Sequence, residues 1–450
     1  MKKALIPLLF GVIPLGAQDP VFGLKDAVRL ALDKNKSVEA SVAARNAAGT
    51  RVAEARSGFL PKVNYSESWT RSDNPVFVFS SLLTQHQFGT DNFQIGPLNR
   101  PDFLNNFQSQ LTADQVIYGA GQTKRAIRSA ELTRDIASED GRRTQMEVIV
   151  GVIRAYYDAL LSADQLTATA QAMRSAEADL TRAETIHTAG MSTEVDTLSI
   201  RVHLASVREQ QIRREADVEV ARAALNDAIG LPLDTPHILS SQLVPLDSPE
   251  GSLGEHENRA ITQRPEARQA KLATSLAKTQ AASARGNLLP QVTLHAAFEA
   301  DRQRFITRGG DNWLVSVGLH WNLFNGFGDK ARIEESEFAL QRSSAEEARA
   351  GSAIRLQVHR AYADVHAATQ QIEVAKAAVT EAEESLRITQ NRYEAGISNV
   401  TDLLRTETTV LEARTRHLAA IRDQRVAAAL LEFAAGTLSA DSAVLSEGTR

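Results

Sequence analysis

Apolar and polar positions follow two rhythms along this chain, and each rhythm occurs twice. In the slower one, Ile354, Val358, Ala361, Val365, Ala368, Ile372, Ala375 and Val379 are spaced four and three apart, with large side chains alternating with small ones. An earlier stretch keeps the same frame with Val148, Val152, Ala155, Ala159, Ser162, Leu166, Thr169 and Met173. A sustained seven-residue repeat predicts knobs of one helix seated in holes of a neighbour. The small residues let the helix axes approach closely. Neither surrounding segment contains proline, so long helices are predicted at about Gln122 to Thr188 and Gly328 to Glu394. At about 1.5 Å per residue each would be a rod on the order of 100 Å long, far more than a small globular core needs.

The faster rhythm has a period of two. Trp313, Val315, Val317, Leu319, Trp321 and Leu323 point one way, while Leu314, Ser316, Gly318, His320 and Asn322 point the other. This predicts a strand with one apolar and one largely polar face. Four strands are expected, at roughly 62–71, 107–117, 290–300 and 312–323. A half-solvated antiparallel sheet of a soluble protein gives this alternation, and so does a strand of a membrane barrel, whose terminal aromatics it shares. Known membrane barrels have at least about eight strands, and an open edge cannot face lipid. A membrane reading therefore requires several copies of the chain.

The two rhythms recur because the chain is duplicated. Tyr118 to Gly230 overlays Phe324 to Gly436 at a constant shift of 206 residues, and ARSGFLP ending at Pro61 overlays ARGNLLP ending at Pro290 at a shift of 229. The difference, 229 − 206 = 23, places an insertion in the first copy between Pro61 and Tyr118. Each copy reads helix, strand, turn, strand, very long helix, tight turn, helix. The first helix (about 24–56, and 253–285) ends at a small polar pair, and Pro61 or Pro290 then switches the chain to extended geometry. The long helices end at Gly190 and Gly396, which supply the left-handed residue of a helix stop. The expected organisation is a signal segment at 1–17, a first repeat at 18–230 with a hairpin at about 122–229, a linker at 231–252, a second repeat at 253–436 with a hairpin at about 328–435, and a polar, mobile tail at 437–450.

Composition narrows the class. Residues 1–17 (MKKALIPLLFGVIPLGA) have two lysines, an apolar run and a small-residue end, the layout of a secretory signal. No later stretch approaches the roughly 20 apolar residues of a membrane helix, so a spanning chain would do so with strands. The net charge of −5 offers no basic surface for nucleic acid, and no nucleic-acid partner is expected. The absence of cysteine removes disulfides, thiolate metal sites, a cysteine nucleophile and an acylated N-terminus.

Candidate chemistry is sparse. Gly119 to Lys124 (GAGQTK) opens a helix after a strand, but the spacing of its lysine and threonine is wrong for a phosphate loop and no strand follows within about 30 residues. His359 and His366 are seven apart rather than at the four-residue spacing of a helical zinc pair. No catalytic residue, cofactor or metal is expected. Asp196 and Asp402 each lie six residues beyond a turn glycine. They read either as exposed first-turn aspartates complementing a helix dipole or, with several hairpins gathered round an axis, as a ring of charge at the tip. The insertion holds Phe77, Phe79, Phe88 and Phe93, besides Phe103 and Phe107, and reads either as an external loop packed over a pore mouth or contacting a partner, or as variation without a role.

The chain resembles the TolC-like outer membrane efflux proteins over essentially all of its mature length. The resemblance lies in ARSGFLP and ARGNLLP before the strands, VIYGAG and NLFNGFG at the strand-to-helix turns, and the paired tips HTAGMSTEVD and YEAGISNVTD. It implies a mainly α fold with a membrane β-barrel portion: a homotrimer whose chains give four strands each to a twelve-stranded barrel continuing into an α-helical periplasmic barrel. It also implies a passive exit duct serving an inner-membrane pump through a periplasmic adaptor, in the outer membrane of a Gram-negative-type bacterium and in contact with its lipid. By resemblance, the periplasmic aperture would involve Asp402 at an acidic position and Tyr393 partnered by Asp196. Ser398 stands where the family has a basic residue, and Arg405 where some members are acidic. The competing reading is an exported soluble coiled-coil scaffold or periplasmic adaptor.

Overall fold

The computed structural model describes residues 21–190, 192–247, 251–307 and 309–446. The expected signal segment lies outside them. The described elements in chain order are β1 (Val21–Phe22), α1 (Leu24–Lys34), α2 (Lys36–Arg56), β2 (Lys62–Ser72), α3 (Pro75–Thr84), α4 (Ile95–Asn99), β3 (Leu104–Tyr118), α5 (Gln122–Thr188), α6 (Glu194–Ile229), β4 (Ile238–Leu239), α7 (Leu253–Gln263), α8 (Pro265–Gly286), β5 (Gln291–Arg302), β6 (Gly310–His320), α9 (Gly328–Glu394) and α10 (Val400–Ala435). No described helix is long and apolar enough to cross a membrane. The chain divides into two compact units, one of Met1–Val42, Asp140–Arg268 and Ala350–Arg450, the other of Ala43–Glu139 and Gln269–Arg349.

The first unit is helical. All the buried residues of α9 (Ile354, Val358, Val365, Ala368, Ile372 and Ala382) fall on the four-three frame read from the sequence. In α5 the frame residues Val152, Ala159 and Thr169 are buried, but so are Ile149, Ile153, Tyr156 and Tyr157 beside them, because α1 also covers this helix. The largest cluster joins Leu24 and Val28 of α1, Ile153 and Tyr156 of α5, Ile229 of α6 and Ile421 of α10. Burying side chains of this size contributes about 1.5–3 kcal/mol each. Among the described residues the cluster at the hairpin ends buries Ala183, Ile200 and Val400, far fewer than the main cluster, so the tips are the more weakly held part of this unit.

The first helix of each repeat, expected as continuous, is broken once. The break lies at Asn35 between α1 and α2, and at Arg264 between α7 and α8. Pro265 enforces the second, since a proline ring pushes the residue before it out of helical geometry. Asn35 reaches the same result through its side chain, whose Oδ1 accepts from Ser37 N–H at 2.9 Å while Nδ2 donates to Ala228 O at 2.9 Å. Each break rests on the glycine that ends a hairpin. A Cβ on Gly230 would stand 2.9 Å from Lys34 O, and one on Gly436 would stand 2.7 Å from Arg264 Cα. The linker and the tail are folded as well. β4 pairs in parallel with β1, and the buried guanidinium of Arg425 donates to Val244 O at 2.7 Å and Ser446 O at 3.3 Å. The tail, expected to be polar and mobile, instead buries Leu438 and Leu445 in the main cluster over its described part.

The second unit carries one antiparallel sheet in the order β2-β3-β5-β6. Directly paired residues share a face, so the register sorts the side chains. Ser66, Gln110, Glu299 and Asn312 lie on one face, and Tyr65, Leu111, Phe298 and Trp313 on the other. The second face is apolar and open, with Tyr65 66%, Trp69 60%, Trp313 79% and Val317 66% exposed. Its charged residues are Glu67, Arg71, Arg302 and Asp311, all toward the end away from the helix connections. Arg302 pairs with Glu67 at 2.8 Å, and Ser109 bonds both. Pro61 and Pro290 stand immediately before β2 and β5, after helical segments that end at Phe59 and Gly286.

Replacing Gly436 by alanine forces an L residue into φ 76°, at a cost of about 1–2 kcal/mol, and adds the collision with Arg264. Gly396→Ala meets the same conformational cost with nothing within 4 Å. Thermal unfolding of the purified variants should therefore show the larger drop in Tm for Gly436→Ala. Equal drops would contradict this packing.

Candidate functional site

Three features of the fold could serve transport: the hairpin tips, the groove between hairpins, and the strand faces. The tips share one plan: a left-handed glycine, then a polar N-cap residue that accepts from the N–H of an aspartate. After α5, Gly190 takes φ 76°, Thr193 caps α6, and its hydroxyl accepts from the Asp196 N–H. After α9, Gly396 takes φ 69°, Asn399 caps α10, and its Oδ1 accepts from the Asp402 N–H at 2.8 Å. Glycine is required at both turns because a Cβ penalises the left-handed region.

The two aspartates differ in how they are used. Asp196 is half-buried, and its carboxylate accepts from Thr193 N–H at 3.2 Å and Thr193 Oγ1–H at 2.9 Å, closing a capping box. Asp402 is exposed and accepts from Ser398 Oγ–H at 3.2 Å. Arg405 is exposed one turn further along α10. Tyr393 is half-buried among Ala183, Ile200, Val400 and Leu404. The expected bond from its hydroxyl to Asp196 is not formed among the described residues, and both Thr193 bonds fall on Asp196 Oδ2. The charge of Asp196 is nonetheless felt: burial first, then Asp196 and Asp179, raise the Tyr393 pKa, against the opposing charge of Arg182.

The strongest electrostatic feature was not foreseen. Asp179 on α5 has a side chain only 5% exposed and lies 3.2 Å from Arg182 Nη1, which is also 3.3 Å from Glu394 on α9. On the next layer, His203 Nε2 of α6 stands 3.3 Å from Glu407 Oε2 of α10. Three carboxylates, one arginine and one histidine thus join all four helices of the two hairpins, with Tyr393 beside them. Burial, then the hydrogen bond shared with Glu407, then the charge of Glu407, raise the Asp179 pKa to about 7, although Arg182 and His203 pull it down.

Beside this cluster, a groove of about 700 Å³ runs between α5, α6, α9 and α10. Ala168, Ala172, Val207 and Val410 contribute apolar floor, and Arg387, Arg414 and Arg416 line the rim. Each of these arginines is paired with a glutamate on the same or the adjacent helix. The insertion forms α3, α4 and an aromatic stack: Phe79 meets Phe88 edge-on at 4.8 Å, and Phe88 meets Phe93 at 5.1 Å. Phe77 is half-buried on α3 beside Val78.

The sequence pattern of the outer membrane efflux protein family matches residues 27–231 and 258–437, one match for each repeat. The chain belongs to the outer membrane efflux protein family. It is 28% identical over 345 residues to Protein CyaE of Bordetella pertussis, covering 75% of this chain and 72% of that one. With the alkaline protease secretion protein AprF of Pseudomonas aeruginosa it shares 24% identity over 450 residues, covering 97% and 89%. Its fold superposes on the outer membrane channel CmeC of Campylobacter jejuni with a TM-score of 0.78 at 15% identity, over 98% and 96% of the two chains. Membership decides between the two readings of the sequence. The protein is an outer-membrane exit duct extending into the periplasm, and the soluble scaffold is set aside.

The Asp179 carboxyl gives the tip region a signed pH dependence. The fold raises its pKa from 3.8 to about 7, so the native state binds the extra proton and stability falls as pH rises from about 4 through about 7. Thermal unfolding at pH 5.5 and pH 8 should show a Tm loss in the wild type that is smaller in Asp179→Asn. An equal loss in both proteins would contradict the raised Asp179 pKa.

Proposed function

We propose that three copies of this chain assemble into one passive pore, their sheets closing as a twelve-stranded barrel in the outer-membrane lipid and their hairpins forming the periplasmic duct. The observation that carries this reading is the four-stranded sheet itself, apolar and exposed on one face, polar on the other, with β2 and β6 as unpaired edges of 11 residues each. Lipid cannot satisfy those edge N–H and C=O groups, so β6 of one copy pairs with β2 of the next. Two copies would give eight strands, a barrel whose interior is filled by side chains. Three copies make the smallest assembly with an open lumen, and the polar face lines it.

The partners follow from the helical unit. The groove between the hairpins, with its apolar floor and charged rim, suits the helical hairpin of a periplasmic adaptor, which in turn engages an inner-membrane pump. The duct has no catalytic role in this scheme. It lets small molecules or larger substrates pass from that pump to the outside. Asp402, exposed at the tip with Gly190, Gly396 and Ser398 around the turns, places negative charge at the aperture, and Arg405 offsets part of it. The tip is a gate because its cluster of buried apolar side chains is small and charged groups, Asp179, Arg182, Glu394, His203 and Glu407, join its helices.

The purified full-length protein should form discrete channels in planar bilayers. Asp402→Ala should lower their preference for cations over anions, and Arg405→Ala should raise it. Absence of channels would contradict the duct, while unchanged selectivity in both variants would remove these residues from the aperture.

A further inference from the structure

We infer that the segment between β2 and β3, residues 73–103, lies inside the barrel and meets its counterparts at the axis as an outer gate. The inference rests on the trimeric barrel proposed above and goes beyond it, since a pore gated at its periplasmic tip requires nothing at the opposite mouth.

The segment is a built structure. Asn74 caps α3 by accepting from the N–H groups of Val76 and Phe77, and Pro75 occupies the first turn, where its missing N–H costs nothing. The segment leaves β2 and re-enters β3 at the sheet end opposite the helix connections, which is the outer end of the proposed barrel.

Its hydrogen bonds state which face it covers. Gln85 Nε2 donates to Asn106 Oδ1 at 2.8 Å, Asn106 Nδ2 donates to Asp301 Oδ1 at 2.7 Å, and Asn312 Nδ2 donates to Thr84 O at 3.2 Å. By register Asn106, Asp301 and Asn312 all lie on the polar face. The segment thus leaves β2 at one edge of the sheet and is anchored to β3 and β6, with Asp301 of β5 in the chain of bonds. The anchor is buried, with Gln85 2%, Asp301 1% and Asn106 8% exposed. On the opposite face Trp69 and Trp313 stay open. Gln85 Oε1 and Asp301 Oδ2 are buried without a partner among the described residues, so losing either of the bonds that are formed would leave further buried polar atoms unpaired, and these bonds pin the segment to the sheet.

The face that lines the pore is thus covered at its outer end by a segment that still exposes Val76 (77%), Ile95 (78%) and Phe93 (66%). Lipid cannot reach them there, and water covers apolar surface at a cost. Around a closed symmetry axis the surface available to each copy is the same segment of its neighbours.

The chain has no cysteine, so a single introduced thiol reports contact without background. Ile95→Cys, oxidised in the detergent-extracted protein, should give disulfide-linked dimers, whereas Phe298→Cys on the apolar face of β5 should give none. Gln85→Ala, which breaks the anchor, should raise single-channel conductance roughly twofold or more by widening the mouth. Failure of Ile95→Cys to cross-link, or unaltered conductance in Gln85→Ala, would overturn the gate while leaving the barrel standing. A wild-type protein that is not trimeric would overturn the barrel and the gate with it.

Discussion

The structure depends on one constraint: a backbone hydrogen-bonding group placed in lipid must find its partner in protein. A single chain meets it incompletely, because β2 and β6 end the sheet with no strand beyond them. Nearly every other property of the sheet follows from closing those edges. In a closed barrel the apolar side chains of Val63, Tyr65, Val315 and Val317 would meet hydrocarbon, and Ser66, Gln110 and Ser316 would meet water. On the apolar face Glu67 and Arg302 pair with each other and share Ser109, which offsets part of the cost of charge there.

The helices follow a different economy. Their seams use small residues and a seven-residue frame, which specify close, regular packing without a bulky core. Stability is concentrated where α1, α5, α6 and α10 meet and where Gly230 and Gly436 accept the helix breaks at Asn35 and Arg264. The hairpin ends are held by Ala183, Ile200, Val400 and a set of charges. A duct must stay assembled while its aperture opens, and this distribution puts the weakest packing where motion is needed.

Much of this was legible in the residues. The rods Gln122–Thr188 and Gly328–Glu394 were visible because no proline interrupts them and a glycine ends each. The strands were visible because one face is apolar, and their bounds moved by three residues or fewer, since edges of alternation blur where Phe107 and Leu104 are both apolar. The break at Asn35 was hidden because asparagine is compatible with a helix until its side chain finds Ser37 and Ala228. Tail burial was hidden because two leucines in a polar stretch carry no period. The carboxyl pair was illegible for a different reason: Asp179 and Glu407 are brought together only by the packing of two hairpins, and neither lies in a motif. In the insertion the aromatics were conspicuous, but the anchor is Gln85 with Asn106 and Asp301, polar residues that read as ordinary loop and strand positions.

The most direct measurement of the central claim is the native mass of the protein extracted in mild detergent from isolated outer membranes. Closure of β6 on β2 around a lumen predicts three copies per particle. Recovery as a monomer in the soluble periplasmic fraction would contradict it, because two open strand edges and an apolar sheet face would then stand in water without the partners that the whole account requires.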